Sequence, residues 1–224
     1  MSTQTADLTV AVQDYLKAIY ALEGAGERVT TSALAARMGV SAPSATAMTK
    51  RLAELGLVER APYKGVALTE DGNRGALEVL RHHRLLERYL VDRLGLSLDE
   101  VHAEADRLEH ALSEELEAKI DAELGFPTHD PHGDPIPDRE LRVAAGGNAT
   151  LLDVPPGGGA TVSRVPDGNP ELLRYLAELG LLPGSDVEIV SQAPFGGPVT
   201  VRTASGEHAI SRDLADSIRA QASA

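Results

Sequence analysis

The sequence predicts a mostly α-helical chain with a small all-β domain at its C-terminal end. Three observations carry this. Residues 30–55 read as helix, glycine turn, helix, and two short strands follow. Residues 70–94 and 98–124 form two long amphipathic stretches, broken at Gly95-Leu96-Ser97. After residue 150 the texture changes to short strands separated by Gly and Pro turns.

Taking the elements in order, residues 12–23 make an amphipathic helix with Val12, Tyr15, Leu16, Ile19 and Tyr20 on its buried face. Asp14 and Lys17 lie off that face, and Gly24 and Gly26 end the helix. A Thr or Ser cap in the run Thr30-Thr31-Ser32 opens a short helix that buries Leu34, Ala35 and Met38, and Gly39 turns the chain. Ser41 caps the next helix, with Pro43 tolerated in its first turn and Ala45, Met48, Leu52 and Leu55 facing the core. Helix, tight turn, helix is the helix-turn-helix pattern, and a strand pair with a basic tip at Lys64 supplies the wing. The second helix offers Ser44, Thr46, Ala47, Lys50 and Arg51 outward. Small hydroxyl and methyl groups suit base edges, and the two cations suit phosphates. With Ser41, Pro43 and Lys64 these are the candidate DNA-binding residues.

Charge supports this division. The chain carries a net −13, which alone argues against nucleic acid, but residues 28–64 hold six basic against two acidic groups. Residues 65–140 hold eight basic against nineteen acidic groups. A short basic module followed by a strongly acidic one fits a DNA reader joined to a cation binder.

The acidic module holds a particular constellation. His102, Asp106, Glu109 and His110 follow one another at steps of 4, 3 and 1, so they share one stripe of a helix beside Leu98, Val101, Ala105, Leu108 and Leu112. His83 and Glu87 stand one turn apart and interrupt a second apolar stripe of Leu80, Leu90 and Leu94. Polar groups at core spacing need a partner. Imidazole and carboxylate converging from two helices is how a protein holds a first-row divalent cation. Ser97, with Glu100 three residues on, starts the helix read over 98–124. The apolar surface left over is enough for a second copy of the chain, and a two-fold dimer suits palindromic DNA.

Residues 125–137 form a proline-rich loop in which Asp130 and His132 are further candidate ligands, and 144–150 reads as a linker. Beyond it come candidate strands at 160–165, 186–193, 198–203 and 207–210 and a helix at 170–179, together a small β-barrel. There is no cysteine, no basic-then-apolar leader and no apolar run of spanning length, so a soluble cytoplasmic protein without membrane contact is expected. No nucleophile or general base stands out, which disfavours a metallohydrolase. A metal-buffering protein would have no use for residues 30–66. A non-enzymatic regulator is the expectation.

Several motifs in order resemble the diphtheria-toxin-repressor family of metal-dependent transcriptional repressors. They are Asp14-Tyr-Leu-Lys-Ala-Ile-Tyr, Ser41-Ala-Pro-Ser-Ala-Thr, His82-His-Arg-Leu-Leu-Glu-Arg-Tyr-Leu, Val101-His-Ala-Glu-Ala-Asp-Arg-Leu-Glu-His, Pro131-His-Gly-Asp-Pro-Ile-Pro and Leu179-Gly-Leu-Leu-Pro-Gly-Ser185. The resemblance implies a winged helix-turn-helix domain over 1–72, a helical dimerisation and metal-binding domain over 73–143, a linker, and an SH3-like (FeoA-like) domain over 151–224. It also implies two metal sites per subunit. Asp14, Asp106, Glu109 and His110 would form the regulatory one. His83, Glu87 and His102 would form the ancillary one, which Asp130, His132 and Asp167 join in some members. Iron-sensing members carry Met and Cys where this chain has Asp14 and Asp106, whereas manganese-sensing members place carboxylates there. Carboxylate oxygen suits Mn²⁺, with Fe²⁺ the alternative. Two departures stand out. Lys17 occupies a position where shorter manganese-type members have an acid, and Arg164 stands where iron-type members draw in a carboxylate from the SH3-like domain. The function implied is a repressor that binds a palindromic operator when loaded with metal and controls metal-uptake genes. One or two dimers per operator are both left open.

Overall fold

The computed structural model describes residues 8–61, 65–144 and 146–222. It divides into two compact units. The first gathers the described residues to His83 with Glu109–Leu112 and Pro137–Arg142. The second holds Arg84–Leu108, Ser113–Ile136 and the described residues from Val143 on.

In the first unit, α1 (Val10–Gly24), α2 (Thr31–Met38) and α3 (Ala42–Glu54) precede a strand pair, β1 (Val58–Ala61) and β2 (Gly65–Leu68). The start signals act as their chemistry requires. Thr30 Oγ1 accepts the Ala33 N–H at 3.0 Å, and Ser41 Oγ accepts that of Ser44 at 3.3 Å. Gly39 makes the turn in the left-handed region at φ 62°. Leu16, Ile19, Leu34 and Leu52 are completely buried. Leu55 was expected in this core but is 49% exposed. It is the C-cap of α3, and the chain then reverses at Gly56 so that Leu57 enters the core in its place. β1 and β2 pair antiparallel, with Val58 opposite Leu68. The pair is anchored where the Val66 N–H donates to the Val29 carbonyl at 2.9 Å. Lys64 lies outside the described residues.

On α3 the residues Ser41, Pro43, Ser44, Thr46, Ala47, Lys50 and Arg51 are all exposed, while Ala45, Thr49 and Leu52 are buried. The Thr46 hydroxyl donates to the Ala42 carbonyl at 2.8 Å, which leaves its methyl as the free group on that face.

α4 (Glu70–Leu94) contributes to both units. After it come α5 (Leu98–Leu108) and α6 (Glu114–Glu123), with Glu109–Ala111 a single 3₁₀ turn. The expected continuous helix over 98–124 is therefore broken. Ser113 Oγ accepts the Leu116 N–H at 3.3 Å, and Glu114, Glu115 and Glu117 fill the first turn of α6. Cap and acidic turn together make a fresh start more favourable than continuation. Leu94 and Leu108 were also expected to be covered and are 60% and 39% exposed; each is the last residue of its helix.

The rest of the second unit is β3 (Gly159–Arg164), α7 (Pro170–Glu178), β4 (Asp186–Gln192), β5 (Val199–Thr203), β6 (Gly206–Ile210), α8 (Arg212–Ser217) and β7 (Arg219–Ala222). The strands form one antiparallel sheet in the order β6-β5-β4-β3-β7. Bulges between Val162 and Arg164 and between Ile189 and Ser191 bend it around a core that includes Leu151, Leu173, Leu176, Ile189 and Ile218. Among the described residues no helix is long and apolar enough to cross a membrane.

The junction of wing and α4 is tightly built. A Cβ on Gly72 would lie 1.9 Å from the Leu57 carbonyl oxygen. Gly72→Ala should therefore destabilise the first unit by about 2 kcal/mol or more. A lowered urea midpoint checks this. Gly24→Ala serves as the control, since there the added Cβ meets nothing within 4 Å and the backbone is not left-handed.

Candidate metal centres

The first centre lies in the first unit, between α1 and the 3₁₀ turn. The turn brings adjacent residues Glu109 and His110 to Asp14, and these three offer ligand atoms within 4.8 Å of one another. His110 Nε2 is 2.9 Å from Asp14 Oδ1 and 3.4 Å from Glu109 Oε1. Its other nitrogen, Nδ1, donates to Gln13 Oε1 at 2.6 Å. A histidine held through one nitrogen in this way presents the other to an ion. Glu109 is 1% exposed, and His83 Nδ1 lies 2.5 Å from its Oε2. Lys17 Nζ donates to both of its oxygens, at 2.7 and 2.9 Å. His82 Nδ1 meets the Glu109 carbonyl at 3.2 Å. Burial holds the Asp14 carboxyl above the usual range; His110 works against the rise and Glu109 adds to it.

The second centre lies in the second unit and is completely enclosed. Glu87, Asp130 and His132 are 0%, 3% and 0% exposed and offer ligand atoms within 4.8 Å of one another. The loop is shaped for this. Asp130 Oδ1 accepts the N–H groups of His132 and Asp134, both at 2.9 Å, so that its Oδ2 is left over. His132 Nε2 donates to the Leu98 carbonyl at 3.1 Å, which directs Nδ1 toward Glu87 Oε2, 3.6 Å away. Asp130 Oδ2 and His132 Nδ1 have no hydrogen-bond partner among the described residues. Buried polar atoms left this way are costly unless something fills the space between them. One acid oxygen and one imidazole nitrogen aimed at a third carboxylate fit a divalent cation.

Electrostatics in the second centre follow from this enclosure. Burial, reinforced by Glu87, pushes the Asp130 carboxyl up to about 7. For His132 burial alone would lower the pKa, but the Glu87 carboxylate outweighs it and raises the imidazole to about 9. Arg84 Nε lies 3.5 Å from Asp130 Oδ2, and its guanidinium also reaches the Asp134 carboxylate and the Pro135 carbonyl. His102 Nδ1 is 3.0 Å from Glu87 Oε1 at the partly exposed side of the centre. The loop is pressed against β3. The Val165 N–H donates to the His132 carbonyl at 2.9 Å, and a Cβ on Gly133 would lie 1.9 Å from the Ser163 carbonyl oxygen.

The remaining sequence candidates fall as follows. Asp106 is exposed on α5, with its Oδ2 3.7 Å from His102 Nε2. Asp167 is half-buried beyond β3 and joins none of the ligand clusters among the described residues. Arg164 pairs with Asp134 at 3.2 Å. Three participants were not foreseen: Gln13, Lys17 as the partner of Glu109, and Arg84. Gln13 and Lys17 stand four apart on α1 beside its apolar stripe, and that spacing was the available signal.

Comparison with known proteins accounts for almost the whole chain. Residues 7–66 match the iron dependent repressor N-terminal DNA binding domain, 69–138 its metal binding and dimerisation domain, and 149–222 the FeoA domain. The iron-dependent repressor IdeR of Mycobacterium tuberculosis is 33% identical over 207 residues, 87% of this chain and 89% of its own. That of Mycobacterium leprae is 39% identical over 147 residues, 66% of this chain and 64% of its own. Among solved structures, a manganese-dependent transcriptional repressor in complex with manganese superposes with a TM-score of 0.85 at 40% identity, covering 94% of this chain and 99% of that one. The chain thus belongs to the iron-dependent repressor family and is a metal-dependent transcriptional repressor built from a DNA-binding, a metal-binding and dimerisation, and a FeoA domain.

Proposed function

We propose that the protein is a manganese-activated repressor that binds a palindromic operator as a homodimer and controls metal-uptake genes. The convergence of Asp14, Glu109 and His110 carries the reading, because it joins the DNA-reading part of the chain to the metal-binding part with carboxylate and imidazole only. Asp14 gives a hard oxygen where a thioether would favour a softer ion. The similar manganese-dependent transcriptional repressor in complex with manganese points the same way. Asp106 is assigned to this ligand set by the family resemblance. Glu87, Asp130 and His132, with His102 alongside, would hold a second ion. The metal supplies positive charge that offsets the repulsion among the clustered carboxylates.

The chain's own residues then do the work. Asp14 and His110, which would hold the ion, would tie α1, and with it the α2–α3 pair, to the 3₁₀ turn. Held so, the exposed α3 faces of two subunits can meet successive major grooves roughly 34 Å apart. The ion need only favour that arrangement by a few kcal/mol. Leu94, Leu108 and Leu116 are exposed on the helices of the dimerisation domain and suit a second copy of the chain. Fe²⁺ is the competing ion, favoured by the iron-dependent relatives.

The test uses duplexes selected from random sequence in the presence of Mn²⁺. Binding should require metal, and under anaerobic conditions Mn²⁺ should act at lower free concentration than Fe²⁺. Asp14→Ala or Asp106→Ala should weaken metal-dependent binding on the order of 100-fold while leaving dimerisation intact. Equal DNA affinity with and without metal would overturn the reading.

The second centre should bind its ion with release of protons, because His132 keeps its proton up to about 9 and Asp130 up to about 7. Apparent affinity should therefore fall as pH drops from 9 to 6. Titration calorimetry in buffers of different ionisation enthalpy should show this release at pH 7, and Glu87→Gln should reduce it.

A further inference from the structure

The first centre already contains a cation. Lys17 Nζ lies 2.7 and 2.9 Å from the two oxygens of Glu109 and 3.5 Å from His83 Nδ1. Glu109 is 1% exposed, so its charge needs a compensating cation inside the protein, and the ammonium satisfies it on both oxygens at once. Those oxygens are the ones a divalent ion would take. An ammonium has no lone pair and cannot join a coordination sphere. It would also stand within a few ångströms of a second positive charge in a poorly solvated place. The side chain is long and flexible, and it is 23% exposed, so a route to solvent exists for its charged end.

We propose that Lys17 is a tethered competitor for the metal: its ammonium holds Glu109 in the metal-free protein and must leave that carboxylate before a divalent ion can be bound there. The inference rests on the metal-centre reading above. It gives Lys17 two consequences. In the metal-free centre the ammonium offsets the charge of Glu109 and so limits the repulsion between that carboxylate and Asp14. The free metal concentration at which the repressor switches is raised, because every ion bound must displace a partner that is always present. Monovalent ions do not displace it, since they offer no more charge than the ammonium and lack its covalent attachment.

The experiment measures Mn²⁺ binding by equilibrium dialysis with metal analysis, in a Glu87→Gln background so that one centre is read. Wild-type Lys17 is compared with Lys17→Met and Lys17→Gln, and thermal melting is followed with and without Mn²⁺. Both variants should bind Mn²⁺ about 10-fold or more tightly than the parent, a coupling of ordinary size for two linked sites. Their melting temperature should be lower without metal and should rise more on adding it. If Lys17→Met folds only when Mn²⁺ is present, that also supports the proposal, because the ion then replaces the missing charge. Affinity equal to or weaker than the parent's in Lys17→Gln overturns it. A Glu109→Gln variant separates the two levels. If it binds as much Mn²⁺ as the parent with the same affinity, the metal-centre reading itself fails. If it loses the ion while the Lys17 variants bind no more tightly, only the competitor role falls.

Discussion

A carboxylate withdrawn almost entirely from water is the constraint on which the first centre depends. Glu109 is 1% exposed and is satisfied from two directions, by Lys17 and by His83. An unpaired charge at that depth would be prohibitive. The 3₁₀ turn and α1 are thus bound to each other through electrostatics, and the apolar packing of Tyr15, Leu16 and Ile19 works alongside this. On the proposed reading a change in the cation at Glu109 would reach α1, because α1 supplies both Lys17 and the Asp14 oxygen. A small chemical event at that residue pair would then bear on α2, which packs against α1, and through it on α3.

The second centre solves a different problem. Its loop uses its own backbone to hold its candidate ligands. Asp130 accepts two main-chain N–H groups with one oxygen and keeps the other aimed inward, and His132 is fixed through Nε2 so that Nδ1 faces Glu87. The FeoA domain contributes here by shape and not through a donor atom among the described residues. Its strand β3 leaves no room for a side chain at residue 133, and Val165, the residue after it, donates its N–H to the His132 carbonyl. Arg164 and Arg84 share Asp134 from two sides and so steady the end of the same loop.

Much of this was legible in the sequence, for identifiable reasons. The helix-turn-helix rests on local chemistry: a Thr cap, a left-handed Gly, a Ser cap and a Pro in the first turn each act within a few residues. The break at 109–113 was hidden because apolar spacing continues across it, although Ser113 followed by three acids was a start signal. The short α8 and β7 were missed because six and four residues are too few to show a period. In the centres, the residue types pointed to metal chemistry, but which groups meet is a tertiary fact. Spacing on α1 places Gln13 and Lys17 on one face, yet nothing local states that His110 and Glu109 lie across from it. Leu55, Leu94 and Leu108 fit their stripes by period and fail by position, each standing at the end of its helix.

The donor chemistry limits how such a protein can be selective. With no cysteine, and with carboxylates and imidazoles as the candidate donors at both centres, ions later in the first-row series should bind more tightly than manganese on affinity alone. On the proposed reading, selectivity must then come from what a bound ion does to the protein. An ion that takes His110 and Glu109 but leaves Asp14 unbound would dislodge Lys17 without fastening α1. It would be bound and yet inactive. An ion content with more oxygen ligands would take Asp14 as well and close the link to the DNA-reading domain. On that reading discrimination would lie in whether Asp14 joins the bound ion and in the cation the ion has to replace, more than in the strength of any one bond.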